Sequence, residues 1–131
     1  MSRVLALDFG EARCGCALSD PTGTLATPLR AVERAATRRG LAALTELVRG
    51  HDVGRVVVGL PLTLAGEEGA QARATREFAA RLAELVDVPV ELHDERLTTR
   101  QAERTGGGAD ADSRAAAHLL EAYLAATGKS S

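Results

Sequence analysis

The sequence predicts one α/β domain on a mixed five-stranded sheet: a three-strand antiparallel meander, extended by parallel strands, with helices on both faces. Three observations carry that expectation. Three short strand patterns separated by tight turn signals open the chain. The run Val56-Val57-Val58 is apolar at consecutive positions, as in a strand covered on both sides. From residue 38 onward helical and strand patterns alternate, which is how crossover units build parallel strands.

The elements follow in order. RVLALD at 3–8 reads as a buried strand ending in an acid, and Phe9-Gly10-Glu11 as a turn. RCGCALS at 13–19 pairs back as the second strand, and Asp20-Pro21-Thr22-Gly23 is a strong turn. A third strand around 28–33 completes the meander. Leu41, Leu44, Leu47 and Val48 recur at spacings of three and four, so 38–50 is a helix closed by Gly50. RVVVGL at 55–60 is the clearest buried strand, ended by Pro61, and 62–69 is a polar loop. A helix at 70–86 carries Phe78, Leu82, Leu85 and Val86 on one stripe, and 88–93 is the fifth strand. A short helix is expected at 98–104 and a Gly-rich loop at 105–112. A last helix at about 113–126 turns Leu119, Leu120, Tyr123 and Leu124 inward.

A length of 131 residues is that of a single domain, assigned to 1–127, with 128–131 as a disordered tail. Aromatic residues are only 2 %, so the core must be Val, Leu and Ala. The net charge of −2 runs against the basic surface usual in nucleic-acid binders. An acidic centre that takes up cations would reconcile the two, because bound cations reverse the local charge. Lys129 is the only lysine, and the many arginines suit bidentate phosphate contact or merely reflect codon usage.

Cys14 and Cys16 are one residue apart on a strand, so both face one way. That spacing suits neither a disulfide nor a zinc site, and free buried thiols in a reducing compartment are expected. Arg3 and Asp8 interrupt any apolar leader, and no segment reaches the length that spans a bilayer. A cytoplasmic protein with no membrane association is expected.

Three acids stand out by position. Asp8 ends the first strand, Glu95 follows the fifth, and Asp112 precedes the last helix. Open α/β sheets bind ligands beyond the carboxyl ends of their strands. If the first and fourth strands are parallel neighbours, the three could converge as hard oxygen ligands for Mg²⁺ or Mn²⁺. Two such ions about 3.5–4 Å apart clamp the attacking and leaving oxygens of a phosphodiester. Each acid also has a plainer role open to it. Asp8 could form a turn, Asp94 and Glu95 a solvated strand end, and Asp112 a helix N-cap. Arg13, Arg96, Thr98 and Thr99 flank the expected site and could hold backbone phosphate; surface arginines and a threonine cap are the alternatives. His93 is near enough to be a minor candidate. Ser19 has no visible His-Asp framework, and Gly106-Gly107-Gly108 is followed by no Lys-Ser/Thr, so serine hydrolysis and a P-loop are set aside.

LALDFGEARCGCALSD at 5–20, VVVGLPLTLAGEEGAQA at 56–72, VPVELHDERLTT at 88–99 and DSRAAAHLLEAYL at 112–124 together resemble the YqgF family, also called RuvX. The resemblance covers nearly the whole chain. It implies an RNase H-like fold and a metal-dependent nuclease with Asp8, Glu95 and Asp112 as catalytic and metal-binding acids and Mg²⁺ or Mn²⁺ as cofactor. It implies maturation of the 5′ end of pre-16S rRNA, with Holliday junction cleavage as the alternative. The partner is then nucleic acid, pre-rRNA or branched DNA, and a homodimer is compatible with the chain. Two features depart from the family. Cys14 and Cys16 replace aliphatic residues, and 105–111 is Gly-rich where a longer basic connection is expected.

Two readings from other classes remain. The Asp8-Phe9-Gly10 hairpin also resembles the first phosphate motif of actin and sugar-kinase ATPases, which need two such domains. The same fold could also serve as a non-catalytic RNA- or protein-binding module.

Overall fold

The computed structural model describes residues 3–63, 65–95 and 108–127, with only the backbone of 108–110. The chain forms strands β1 (Arg3–Asp8), β2 (Arg13–Ser19) and β3 (Ala26–Glu33) and helix α1 (Arg38–Gly50). Then follow β4 (Val53–Leu60), α2 (Ala70–Ala83), β5 (Val90–Asp94) and α3 (Gly108–Thr127). The sheet order is β3-β2-β1-β4-β5. β1 pairs antiparallel with β2 and β2 with β3, while β4 runs parallel to both β1 and β5. The meander, the mixed sheet and the central parallel pair all follow the sequence expectation.

The two faces of the sheet differ in bulk because alternate residues face opposite ways. Leu5 and Leu7 of β1, Cys14, Cys16 and Leu18 of β2, and Val56 and Val58 of β4 pack under α1 and α2. Leu41, Leu44, Val48, Phe78 and Leu82 meet them from the helices. The other face is nearly flat. Ala6 and Ala17 are cross-strand partners there, covered by Ala116, Ala117, Leu119 and Leu120 of α3. Small residues on both sides let α3 lie close to the sheet. Among the described residues, helices therefore cover both faces, two on one side and one on the other.

Local chemistry sets the boundaries. Thr37 caps α1 by accepting the Gly40 N–H at 3.1 Å. The helix includes Gly50, and His51 follows as C-cap. α2 ends at Ala83 rather than 86. The Glu84 and Leu85 N–H groups reach Arg81 and Leu82 carbonyls, so the last turn tightens. Leu85 is thereby turned out to solvent, against its expected place on the buried stripe. β5 begins two residues late, after Pro89, whose carbonyl accepts from Val56 N–H but whose nitrogen has no proton for the ladder.

The largest departure is at the start of α3. Residues 108–112, expected as loop, are the helix's first turns. Asp112 is therefore inside α3 and is not its N-cap. The helix forms despite the poor propensity of Gly108 and Asp110, and from Asp112 its backbone rests on Gly15 of β2. Both cysteines are free and buried, as their spacing implies. The short helix expected at 98–104 and the tail 128–131 lie outside the described residues. No helix among the described residues is long and apolar enough to cross a membrane.

Candidate functional site

Asp8 stands at the carboxyl end of β1, on the α3 face by its alternation with Ala6. Its antiparallel partner on β2 is Gly15. On β4 the last parallel pair is Leu7 with Val58, so Gly59 is the next neighbour of Asp8. Asp8 is thus flanked on its face by two residues without side chains.

Each of those glycines makes room for another acid's segment. A Cβ on Gly15 would lie 1.9 Å from the Asp112 carbonyl oxygen and 2.9 Å from the Ser113 nitrogen. The first turns of α3 therefore rest directly on the β2 backbone. A Cβ on Gly59 would lie 2.7 Å from Oε2 of Glu95 and 3.1 Å from Leu119. Glu95 comes directly after β5 and folds over β4, occupying the space that a side chain there would fill. Gly15, Asp8 and Gly59 form one row across the sheet, with Asp112 above one end and Glu95 above the other.

The position of α3 is fixed by Ser113. The β2–β3 pairing shifts register between Cys14 and Cys16. At that irregularity the Ser113 hydroxyl donates to the Leu29 carbonyl and accepts the Cys16 N–H. Leu29 and Cys16 are cross-strand partners, so a helix hydroxyl bridges the place where the ladder slips. Ser113→Ala is expected to remove the hydrogen bonds to both backbone groups, costing about 1–3 kcal/mol. Denaturant unfolding should show the loss, and hydrogen exchange at Cys16 should accelerate; unchanged stability would contradict the bridge.

The carboxylate of Asp112 is bound by Arg13, whose Nε donates to Oδ2 at 2.9 Å. Both side chains are more than a third exposed, so the pair contributes at most about 1 kcal/mol to stability. Cys14, on the far side of β2, is affected by the site through the sheet. The Cys16 thiol beside it and its own burial push its thiol up, and the negative charges of Asp8 and Asp112 add to this.

The three expected acids are brought to one end of one face. Among the described residues, however, no three His, Cys, Asp or Glu side chains are gathered closely enough to hold a metal ion as they stand. Asp112 is turned to Arg13 instead. Arg13, expected to face phosphate, is engaged with an acid of the site, and Arg96, Thr98 and Thr99 lie outside the described residues. His93 pairs with Gly59 across β4–β5 and meets the Tyr123 ring edge-on, with ring centroids 5.6 Å apart. Its Nε2 is buried with no hydrogen-bond partner among the described residues. A separate groove lined by Phe9, Gln71, Ala74 and Phe78 lies on the α2 side, away from the acids.

Sequence reasoning missed the use of Gly15, Gly59 and Ser113. The glycines were visible as interruptions in strands, a signal of close backbone approach. Ser113, beside a predicted helix start, carried no such mark.

Residues 2–126 match the family described as "RuvX: Holliday junction resolvase". A Roseiflexus sp. (strain RS-1) protein is 47 % identical over 78 % of this chain and 72 % of its own length. One from Syntrophomonas wolfei is 40 % identical over 93 % of each chain. Both bear the name "Putative pre-16S rRNA nuclease". Among solved structures, Thermus thermophilus RuvC in complex with a Holliday junction substrate aligns over 98 % of this chain and 97 % of its own, with a TM-score of 0.63 at 15 % identity. That similarity shows a shared RNase H-like fold.

Proposed function

Because the chain belongs to the RuvX family, we propose that it is a nuclease hydrolysing phosphodiester bonds with the help of divalent cations held by Asp8, Glu95 and Asp112. The observation that carries this reading is the row Gly15–Asp8–Gly59, which seats the segments of two acids over the neighbours of a third.

The donor set fits Mg²⁺ or Mn²⁺. It consists of carboxylate oxygens, the ligand type such hard cations prefer, and the segments of Asp112 and Glu95 lie over the two glycines that flank Asp8. When bound, cations of this kind stabilise charge on the attacking and leaving oxygens of a phosphodiester. The chain's own part is positional. Asp8 is held by a central strand with paired neighbours on both sides. Asp112 is held by a helix bridged to the sheet through Ser113, and Glu95 by its fold over Gly59. Arg13, Arg96, Thr98 and Thr99 are the proposed phosphate contacts.

The proposed substrate is the 5′ end of pre-16S rRNA, supported by the names of the curated relatives. Such a role would place the protein in the cytoplasm. The family description favours a second reading, cleavage of branched DNA. One experiment separates them: purified protein is incubated with a 5′-extended pre-rRNA fragment and with a four-way DNA junction, each with and without Mn²⁺. Cation-dependent trimming of the RNA alone is expected. Cleavage of the junction alone would transfer the assignment to branched DNA. Cleavage of neither, with no Mn²⁺ bound, would leave a non-catalytic binding module.

A further inference from the structure

We infer that Arg13 is a built-in competitor of the catalytic cation: its guanidinium occupies Asp112 until a divalent ion displaces it, and it is then free to turn to the substrate phosphate. The inference rests on the carboxylate-site reading above and adds to it a positioning role for a particular arginine.

Three observations meet here. The three acids share one end of one face, yet their side chains are not gathered for a metal. The Asp112 carboxylate is held through Oδ2 by Arg13 Nε. Arg13 opens β2, two residues before the Gly15 on which the Asp112 backbone rests, so acid and arginine are fixed to the same stretch of strand. A guanidinium and a divalent cation both need the lone pairs of one carboxylate. Occupation by either weakens the other by mass action. The pair is partly exposed, so its hold is weak enough for displacement. An arginine released beside a phosphate has the planar fork that suits phosphate oxygens.

The test is Mn²⁺ binding without substrate, measured by calorimetry and by electron paramagnetic resonance of free Mn²⁺. Arg13→Ala should bind Mn²⁺ about three-fold more tightly than the wild type, the size expected for loss of a partly exposed ion pair. Arg55→Ala is the control, because Arg55 also pairs with a carboxylate, Glu91, but not with Asp112. It should leave the affinity unchanged. In the unaltered protein, the Arg13 Nε–H resonance should move as Mg²⁺ is added, a readout that needs no variant to fold.

Unchanged or weaker binding by Arg13→Ala, equal tightening by Arg55→Ala, or an unmoved Arg13 resonance at Mg²⁺ saturation would overturn the inference. Asp8→Asn separates it from its premise. If that variant loses Mn²⁺ while Arg13→Ala gains nothing, only the competition fails. If it binds Mn²⁺ like the wild type, the carboxylate site itself is wrong.

Discussion

Asp8→Asn is expected to remove cation-dependent cleavage, by at least about a hundred-fold or ~2.7 kcal/mol of barrier, while the protein remains folded. Asn keeps the shape of Asp but carries no charge, so it cannot supply the anionic oxygen a hard cation needs. Asp8 stands at the end of β1 and is half-buried, outside both apolar clusters, so the substitution disturbs little of the core. Circular dichroism and thermal unfolding should match the wild type, and RNA cleavage should fall to background. Wild-type cleavage rates in the variant would reject the assignment.

The second large effect is predicted for Gly15→Ala. The added methyl group would lie 1.9 Å from one α3 backbone atom and 2.3 Å from another. No side chain can rotate away to relieve this, so α3 must lift from the sheet or β2 must buckle. Overpacking of this kind costs about 3 kcal/mol, a large part of a domain's roughly 5–15 kcal/mol. A fall in midpoint of about 10 °C is expected. Cleavage should be lost even at temperatures where the variant is folded, because Asp112 moves with its helix. Gly50→Ala is the matching control. Among the described residues nothing lies within 4 Å of a Cβ there, at the end of α1. That substitution should leave the midpoint level or raise it slightly. Equal stability of the two variants would contradict the close packing of α3 on β2.

Much of this arrangement was legible in the sequence. The apolar run ending in Asp8 marked β1, and the valine run marked β4 as a strand covered on both faces; their parallel pairing, only a condition in the sequence, is observed. The placement of Asp8 and Glu95 at strand ends followed from the same patterns. The errors arose where long-range contact overrides local preference. Gly108, Asp110 and Asp112 read as loop and cap by propensity, yet 108–112 are helical, with the Asp112 backbone resting on Gly15 of β2. The Leu82-Leu85-Val86 stripe continued the helical period, but Pro89 and the start of β5 required an earlier stop. The Arg13–Asp112 pair joins residues 99 positions apart, and no spacing rule reaches that far. Ser113 acts on a register shift that only the folded sheet possesses.

The dependence of the site on α3 bears on when the protein acquires its activity. Asp8 ends β1 and Asp112 lies in α3, and the two meet only when that helix settles on strands that precede it in the chain. Domains fold as units while chains emerge from the N-terminus. A site assembled this way stays incomplete until α3 has been made and has docked on β1 and β2.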